Sequence, residues 1–153
     1  MLLFEQSYRW TPLDTAHDVS FAFRCPPEVT AVCIRFSFAP GKETAEAICR
    51  PQIEAALARY YDRYPRDIQP MQPEQFLPVK NLITISLMRE GVYLGNAHRW
   101  APEQTHVLTA ERASLGFVPP QAIAGHWTGM LHLHEICSPC CMGELRIEGR
   151  TGI

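Results

Sequence analysis

Short runs in which apolar and polar residues alternate are the feature of this chain that most restricts its fold. Between residues 17 and 25, Val19, Phe21 and Phe23 occupy every second position. Since successive side chains of a β-strand point to opposite faces, this spacing predicts a strand with one buried face. Two prolines follow the run and end it.

The same pattern recurs along the rest of the chain. It continues at 29–38, and further short candidate strands lie at 104–110, 127–136 and 141–148. The run at 81–88 is apolar and β-branched in both alternating sets, which is typical of a strand covered on both sides. Glycine or proline separates these runs, as in β-sandwiches and barrels.

The period changes between residues 44 and 64. Ile53, Leu57 and a tyrosine at 60 or 61 recur three and four positions apart among Glu, Arg and Ala. This is the spacing of a helix with one buried stripe, and we expect that helix to cover the strand at 81–88. The whole pattern predicts a mostly β fold. It is an antiparallel β-sandwich of the jelly-roll or immunoglobulin-like kind, with one α-helix inserted at about 44–64.

The composition is that of one globular domain spanning residues 1–153. Hydrophobic residues make up 46% of the chain and charged residues 20%, and two domains would each have an undersized core. The net charge of −2, with both signs dispersed, excludes the basic stripe that nucleic-acid binding requires. With no export signal and no apolar stretch of roughly 18 residues, we expect a cytoplasmic protein that does not enter membranes.

A histidine pair followed by a cysteine pair is the strongest candidate for chemistry. His132 and His134 lie two positions apart and so point the same way on a strand, and Cys137 and Cys140 follow at once. Zinc accepts such mixed ligands, so these four residues are the candidate metal site, although the leading prediction is no cofactor. The competing interpretation places Trp127 on the inward face, both histidines outward and the cysteines in a plain hairpin turn.

Aromatic side chains in a predicted loop form a second candidate site. Tyr93, His98 and Trp100 lie in or next to this loop, and loops on rigid sandwiches often carry binding functions. Aromatic faces stack on sugars, bases or cations. The sequence contains no nucleophile elbow, phosphate-binding loop or dinucleotide-binding glycine run. These residues therefore indicate binding rather than catalysis.

Three blocks of sequence resemble a known domain in their order and spacing. They are FRCPPEVTAVCIRFSFAPG (23–41), NLITISLMREGVYLGNAHRW (81–100) and SLGFVPPQAIAGHWTGMLHLH (114–134). Together they resemble the β-sandwich that precedes the catalytic domain in one branch of the PHP (polymerase and histidinol phosphatase) superfamily of metal-dependent phosphoesterases. The matching motifs are Pro27-Glu28-Val29-Thr30, Asn81-Leu82, Gly116-Phe117-Val118-Pro119 and Gly125-His126-Trp127.

The resemblance implies an accessory domain and not an enzyme. Catalysis in that superfamily depends on a downstream His-x-His followed by Ser-Asp-Gly on a separate domain, and this chain reaches Ile153 without it. His132-x-His134 lies inside the sandwich block instead. We therefore expect a non-catalytic domain whose partner is an unknown small polar ligand or a separate catalytic subunit. Exposed sheet edges also favour a homodimer.

Two alternatives to the accessory domain stay open at this point. One is a small metal-dependent hydrolase that uses His132, His134 and the cysteines of 137–141, with zinc as its metal. The other is a carbohydrate-binding module, suggested by the sandwich class and the loop around Trp100.

Overall fold

The alternating runs of the sequence form strands in the structure, a computed structural model that describes residues 1–66, 69–98 and 100–152. The strands in those residues are β1 (Leu2–Trp10), β2 (His17–Cys25), β3 (Ala31–Ala39), β4 (Lys42–Glu43), β5 (Val79–Lys80), β6 (Leu82–Arg89), β7 (Val92–Ala97), β8 (Glu103–Thr109), β9 (Gly125–Glu135) and β10 (Cys141–Arg150). The helix α1 spans Glu46–Arg63, and short 3₁₀ helices lie at Pro12–Asp14 and Pro73–Phe76.

In the described chain, two four-stranded antiparallel sheets pack face to face. The first sheet has the strand order β1-β10-β3-β8 and the second has the order β2-β9-β6-β7. Strands that follow one another in sequence mostly alternate between the sheets, which is the arrangement of a jelly roll. β4 and β5 form a separate two-stranded ribbon. The predicted mostly β sandwich with one inserted helix is confirmed, and its topology is that of a jelly roll.

The apolar faces of the two sheets form the core. Trp127 is fully buried there and stacks on Phe23 with ring centroids 5.7 Å apart. Gly129 leaves room for a neighbouring ring, because a Cβ atom at this position would lie 2.2 Å from Cζ of Phe21. The core thus depends on the alternation that the sequence displays and on a glycine at one crowded position.

The helix α1 lies at one end of the second sheet, close to the start of β6. Cys49 and Ile53 are its buried side chains. The outward side chains of β6 lie beside those of β9 in the same sheet, where Ser86 hydrogen-bonds to His132, and α1 packs mainly against the 3₁₀ helix at Pro73–Phe76. The expectation that α1 covers this strand is therefore wrong along most of its length. The helix instead leaves part of its apolar stripe facing an open space.

The segment 136–140 connects the two sheets, since β9 belongs to the second sheet and β10 to the first. The predicted hairpin at this point is wrong, because the strands on either side of the cysteines pair with other strands. Buried Asn81 holds the crossing segment: its Oδ1 accepts hydrogen bonds from the backbone N of Cys137 at 2.8 Å and of Ser138 at 3.3 Å. Its Nδ2 donates to the carbonyl of Pro40 at 2.8 Å.

Among the described residues, no helix combines the length and the apolar character that crossing a membrane requires.

Candidate functional site

The histidine pair lies on the outer face of the second sheet. His132 and His134 alternate along β9 with Leu131 and Leu133, which are buried in the core. The prediction that both histidines point outward is confirmed. Their neighbours are therefore the outward side chains of β2 and β6, the strands that pair with β9.

His132 joins two polar residues from neighbouring strands. Its Nδ1 lies 2.8 Å from Oδ1 of Asp18 on β2, and its Nε2 lies 2.8 Å from Oγ of Ser86 on β6. Since a carboxylate only accepts hydrogen bonds, Nδ1 donates to Asp18, and the neutral ring accepts the Ser86 hydroxyl proton at Nε2. The order of these bonds is that of a Ser-His-Asp triad. This set was not predicted from the sequence, because Ser86 and Asp18 lie 46 and 114 residues from His132.

His134 belongs to the same outward surface. Its Nε2 lies 2.9 Å from Oγ1 of Thr84, and its ring meets that of His98 edge to face at a centroid distance of 5.3 Å. Partial desolvation lowers the pKa of His134, and the neighbouring His98 and His132 lower it further through electrostatic interaction, while Asp18 opposes the shift. The neutral ring is thus the favoured form at this position.

The cysteines lie apart from these histidines. Cys137 is fully buried and its thiol donates to Oδ1 of Asn81 at 3.0 Å, whereas Cys140 is half-buried beside Met142. Burial raises the pKa of Cys137 to about 11, which keeps its thiol protonated, while zinc binds the thiolate. In residues 1–66, 69–98 and 100–152, no group of three or more His, Cys, Asp or Glu side chains is placed to hold a metal ion. The predicted zinc site gains no support from this arrangement.

The aromatic candidates also separate. Tyr93 lies near the start of β7 and is 58% exposed, whereas Trp100 lies beyond the end of that strand and is 54% exposed. His98 contacts His134, as described above. Tyr93 therefore lies on a strand and not in a loop, and Trp100 lines a cavity to which neither Tyr93 nor His98 is assigned.

This cavity has a volume of about 950 Å³ and lies between α1, the chain around Pro73–Phe76 and the end of the second sheet. Its lining is mostly apolar, with side chains from the helix stripe, from the connection after it and from the sheet. They include Ile53, Leu57, Tyr60, Phe76, Leu82 and Trp100. The stripe that the sequence predicted to be buried is thus the wall of an open cavity over much of its length.

Polar contacts hold the cavity walls together. Arg50 of α1 binds Glu46 on its own helix and Glu74 on the facing 3₁₀ helix, each at 2.5 Å. The hydroxyl of Tyr61 accepts a hydrogen bond from the backbone N of Met71 at 3.0 Å. These contacts join the helix to the proline-rich connection that forms the facing wall of the cavity.

Among residues 1–66, 69–98 and 100–152, the charged side chains that line the cavity are Arg59, Lys80 and Glu135. The Lys80 ammonium nitrogen lies 5.4 Å from the centre of the Trp100 ring, a cation–π contact. Burial raises the pKa of Glu135, and the positive charge of Arg59 opposes that rise. Neither Arg59 nor Lys80 was predicted from the sequence as a site residue. Helical spacing could have indicated Arg59. This residue lies two turns after Gln52, on the helix face that also contains Ala55 and Ala56.

Fold and site together define a class of protein: a jelly-roll sandwich with a helix-walled, largely apolar cavity at one end. No protein-family model matches the chain, and a search of curated proteins finds none that matches it. The resemblance to the PHP-associated sandwich therefore stays a prediction. So do the accessory role, the cytoplasmic location and the homodimer.

Proposed function

We propose that this chain is a non-catalytic binding domain, as its resemblance to an accessory sandwich implies, and that its ligand occupies the end cavity. The observation that carries the proposal is the cavity itself. Its volume of about 950 Å³ lies in the range of small-molecule sites, roughly 300–1,000 Å³, and such sites combine apolar walls with a few converging polar groups.

The chemistry of the lining favours a small, largely apolar ligand. The cavity is lined by Leu57 and Tyr60 of α1, by Phe76 of the facing 3₁₀ helix and by Trp100. Removing apolar surface from water contributes about 25 cal/mol per Å². Phe76 and Trp100 are 44% and 54% exposed, so a ligand that covers them gains this energy without any rearrangement of the core.

A non-catalytic role is also supported by the state of the nucleophiles. Burial raises the pKa of Cys25, Cys137 and Cys141 to about 11 in each case, so these thiols are protonated and weakly reactive near neutral pH. Ser86 is only 7% exposed, and β6 pairs with strands on both sides, which engages its backbone N–H groups in the sheet. The backbone N–H groups near Ser86 are thus engaged in the sheet and do not serve as donors to an oxyanion.

Fluorescence of the neutral dye N-phenyl-1-naphthylamine tests the proposal. The dye brightens in apolar surroundings, and we expect saturable binding to the intact chain. Ala56 lines the cavity, whereas Ala58 is an exposed residue of the same helix outside the lining. Ala56→Trp fills the cavity and is expected to abolish binding, while Ala58→Trp leaves it unchanged. Absence of binding, or equal binding by both variants, would contradict the proposed site.

One observation favours the alternative of carbohydrate binding: Trp100 exposes more than half of its side chain at the cavity. Sugars stack on such faces. A panel of glycans, titrated against tryptophan fluorescence, distinguishes the two candidates. Saturable quenching by a sugar that Ala56→Trp removes would favour the carbohydrate, and dye binding without any sugar response favours the apolar ligand.

A further inference from the structure

We infer that the ligand of the end cavity carries an anionic group, so that it is an amphiphilic or aromatic acid. This inference rests on the proposed binding function and names the class of ligand. Of the charged side chains that line the cavity in the described part of the chain, Arg59 and Lys80 are cationic and Glu135 is the acid. An apolar cavity with an excess of positive charge is complementary to an apolar molecule with a negative head.

The ribbon beside the cavity supports the same class of ligand. Lys80 of β5 pairs directly with Lys42 of β4. Directly opposed residues of an antiparallel pair project to the same face, and like charges in such a pair destabilise it. A bound anion next to Lys80 relieves this repulsion. The Lys42–Lys80 pair thus destabilises the domain when the cavity is empty, and this repulsion is relieved when an anion is bound.

The geometry places the anionic head and the apolar body in different parts of the cavity. Lys80 holds its ammonium group over the Trp100 ring, so a head that pairs with Lys80 lies at the edge of an aromatic surface. Leu57 and Tyr60 supply apolar surface on the helix side. Glu135 opposes an anion less than a free carboxylate does, because burial raises its pKa and disfavours its charged form.

Two dyes with one aromatic frame separate charge from apolar contact. N-Phenyl-1-naphthylamine is neutral, and 8-anilinonaphthalene-1-sulfonate adds a sulfonate to the same frame. We expect the sulfonate to bind the intact chain more tightly than the neutral dye, by roughly three- to fivefold for each ion pair that is open to solvent. This advantage is expected to shrink as salt is raised from low ionic strength, because mobile ions screen the charges.

Charge-removing variants assign the effect to named residues. Lys80→Met and Arg59→Gln are each expected to weaken binding of the sulfonate while leaving the neutral dye within twofold of its original affinity, since only a solvent-open ion pair is lost. Arg112→Gln is the matched control: this exposed arginine follows β8 at a site outside the cavity lining, so its loss changes the net charge equally and is expected to change neither affinity.

The outcomes distinguish the inference from the proposed function. If the neutral dye binds in the cavity but the sulfonate binds no more tightly, or if Lys80→Met and Arg112→Gln have equal effects, the anionic class is wrong and the binding function stands. If neither dye responds to Ala56→Trp, the cavity is not the site and the function fails as well.

Discussion

Lys80 holds its ammonium nitrogen 5.4 Å from the centre of the Trp100 ring, at the cavity between α1 and the end of the sandwich. Trp100 is 54% exposed, whereas the other two tryptophans of the chain, Trp10 and Trp127, are buried in the core. The contact therefore joins the accessible tryptophan to one of the cations that line the cavity. Because of this contact, the fluorescence of Trp100 reports the charge at the cavity without any ligand.

Iodide is expected to quench tryptophan fluorescence more strongly than caesium does, because Lys80 attracts the anion and repels the cation. Lys80→Met should reduce quenching by iodide and increase quenching by caesium. Trp100→Phe should remove most of the quenchable fraction, since the remaining tryptophans are buried. Unchanged iodide quenching in Trp100→Phe would show that the accessible tryptophan is another one.

Glu135 is expected to make stability depend on pH. Burial raises its pKa in the folded chain, so the fold favours the carboxyl form. The stability that the protonated Glu135 carboxyl contributes is fully present below the pKa of this group in the unfolded chain. It is lost as pH rises through the higher pKa of the group in the folded chain. Glu135→Gln, which mimics the neutral form, should therefore raise the melting temperature at pH 7.5 and leave it nearly unchanged at pH 4. A larger gain at pH 4 would contradict this sign.

Ser86 is expected to be unreactive despite its hydrogen bond to His132. Its backbone neighbours pair within the sheet, and Asn96, which lies opposite, buries a side-chain oxygen that has no hydrogen-bond donor in the described part of the chain. An acceptor oxygen does not stabilise an oxyanion. A fluorophosphonate probe should label the folded chain no faster than Ser86→Ala. Rapid labelling that disappears in Ser86→Ala and His132→Ala would overturn the non-catalytic interpretation.

Asn81 is expected to be among the most sensitive positions for stability. Asn81→Ala leaves the buried backbone N of Cys137 and the carbonyl of Pro40 without these hydrogen bonds. Each unsatisfied buried group costs about 1–3 kcal/mol, so the free energy of unfolding should fall by about 3 kcal/mol in urea titrations. Asn96→Ala is the control, because Oδ1 of Asn96 has no hydrogen-bond partner among the described residues, and the effect of this substitution should stay near 1 kcal/mol. Equal losses would contradict the role of Asn81.

The strands that carry the core were predictable because alternation is a local signal. The inward series Trp127, Gly129, Leu131 and Leu133 can be assigned from β9 alone, and with it the outward direction of His132 and His134. β1 was not predicted, because its alternation is weak: its outward positions are polar, but Trp10 is the one buried residue of its nine. β7 was not predicted either, because it is short and its first two residues are exposed.

The site depends on contacts that no local pattern encodes. Asp18 and Ser86 meet at His132 only because β2 and β6 pair on either side of β9. Likewise, the spacing of Ile53 and Leu57 determined a helix with one apolar stripe, but not what that stripe faces. The register of the strands and the placement of α1 decided that, since α1 lies at the end of the second sheet and leaves a cavity there. Alternation and helical spacing fix which side chains point together, whereas pairing between distant segments decides what they meet.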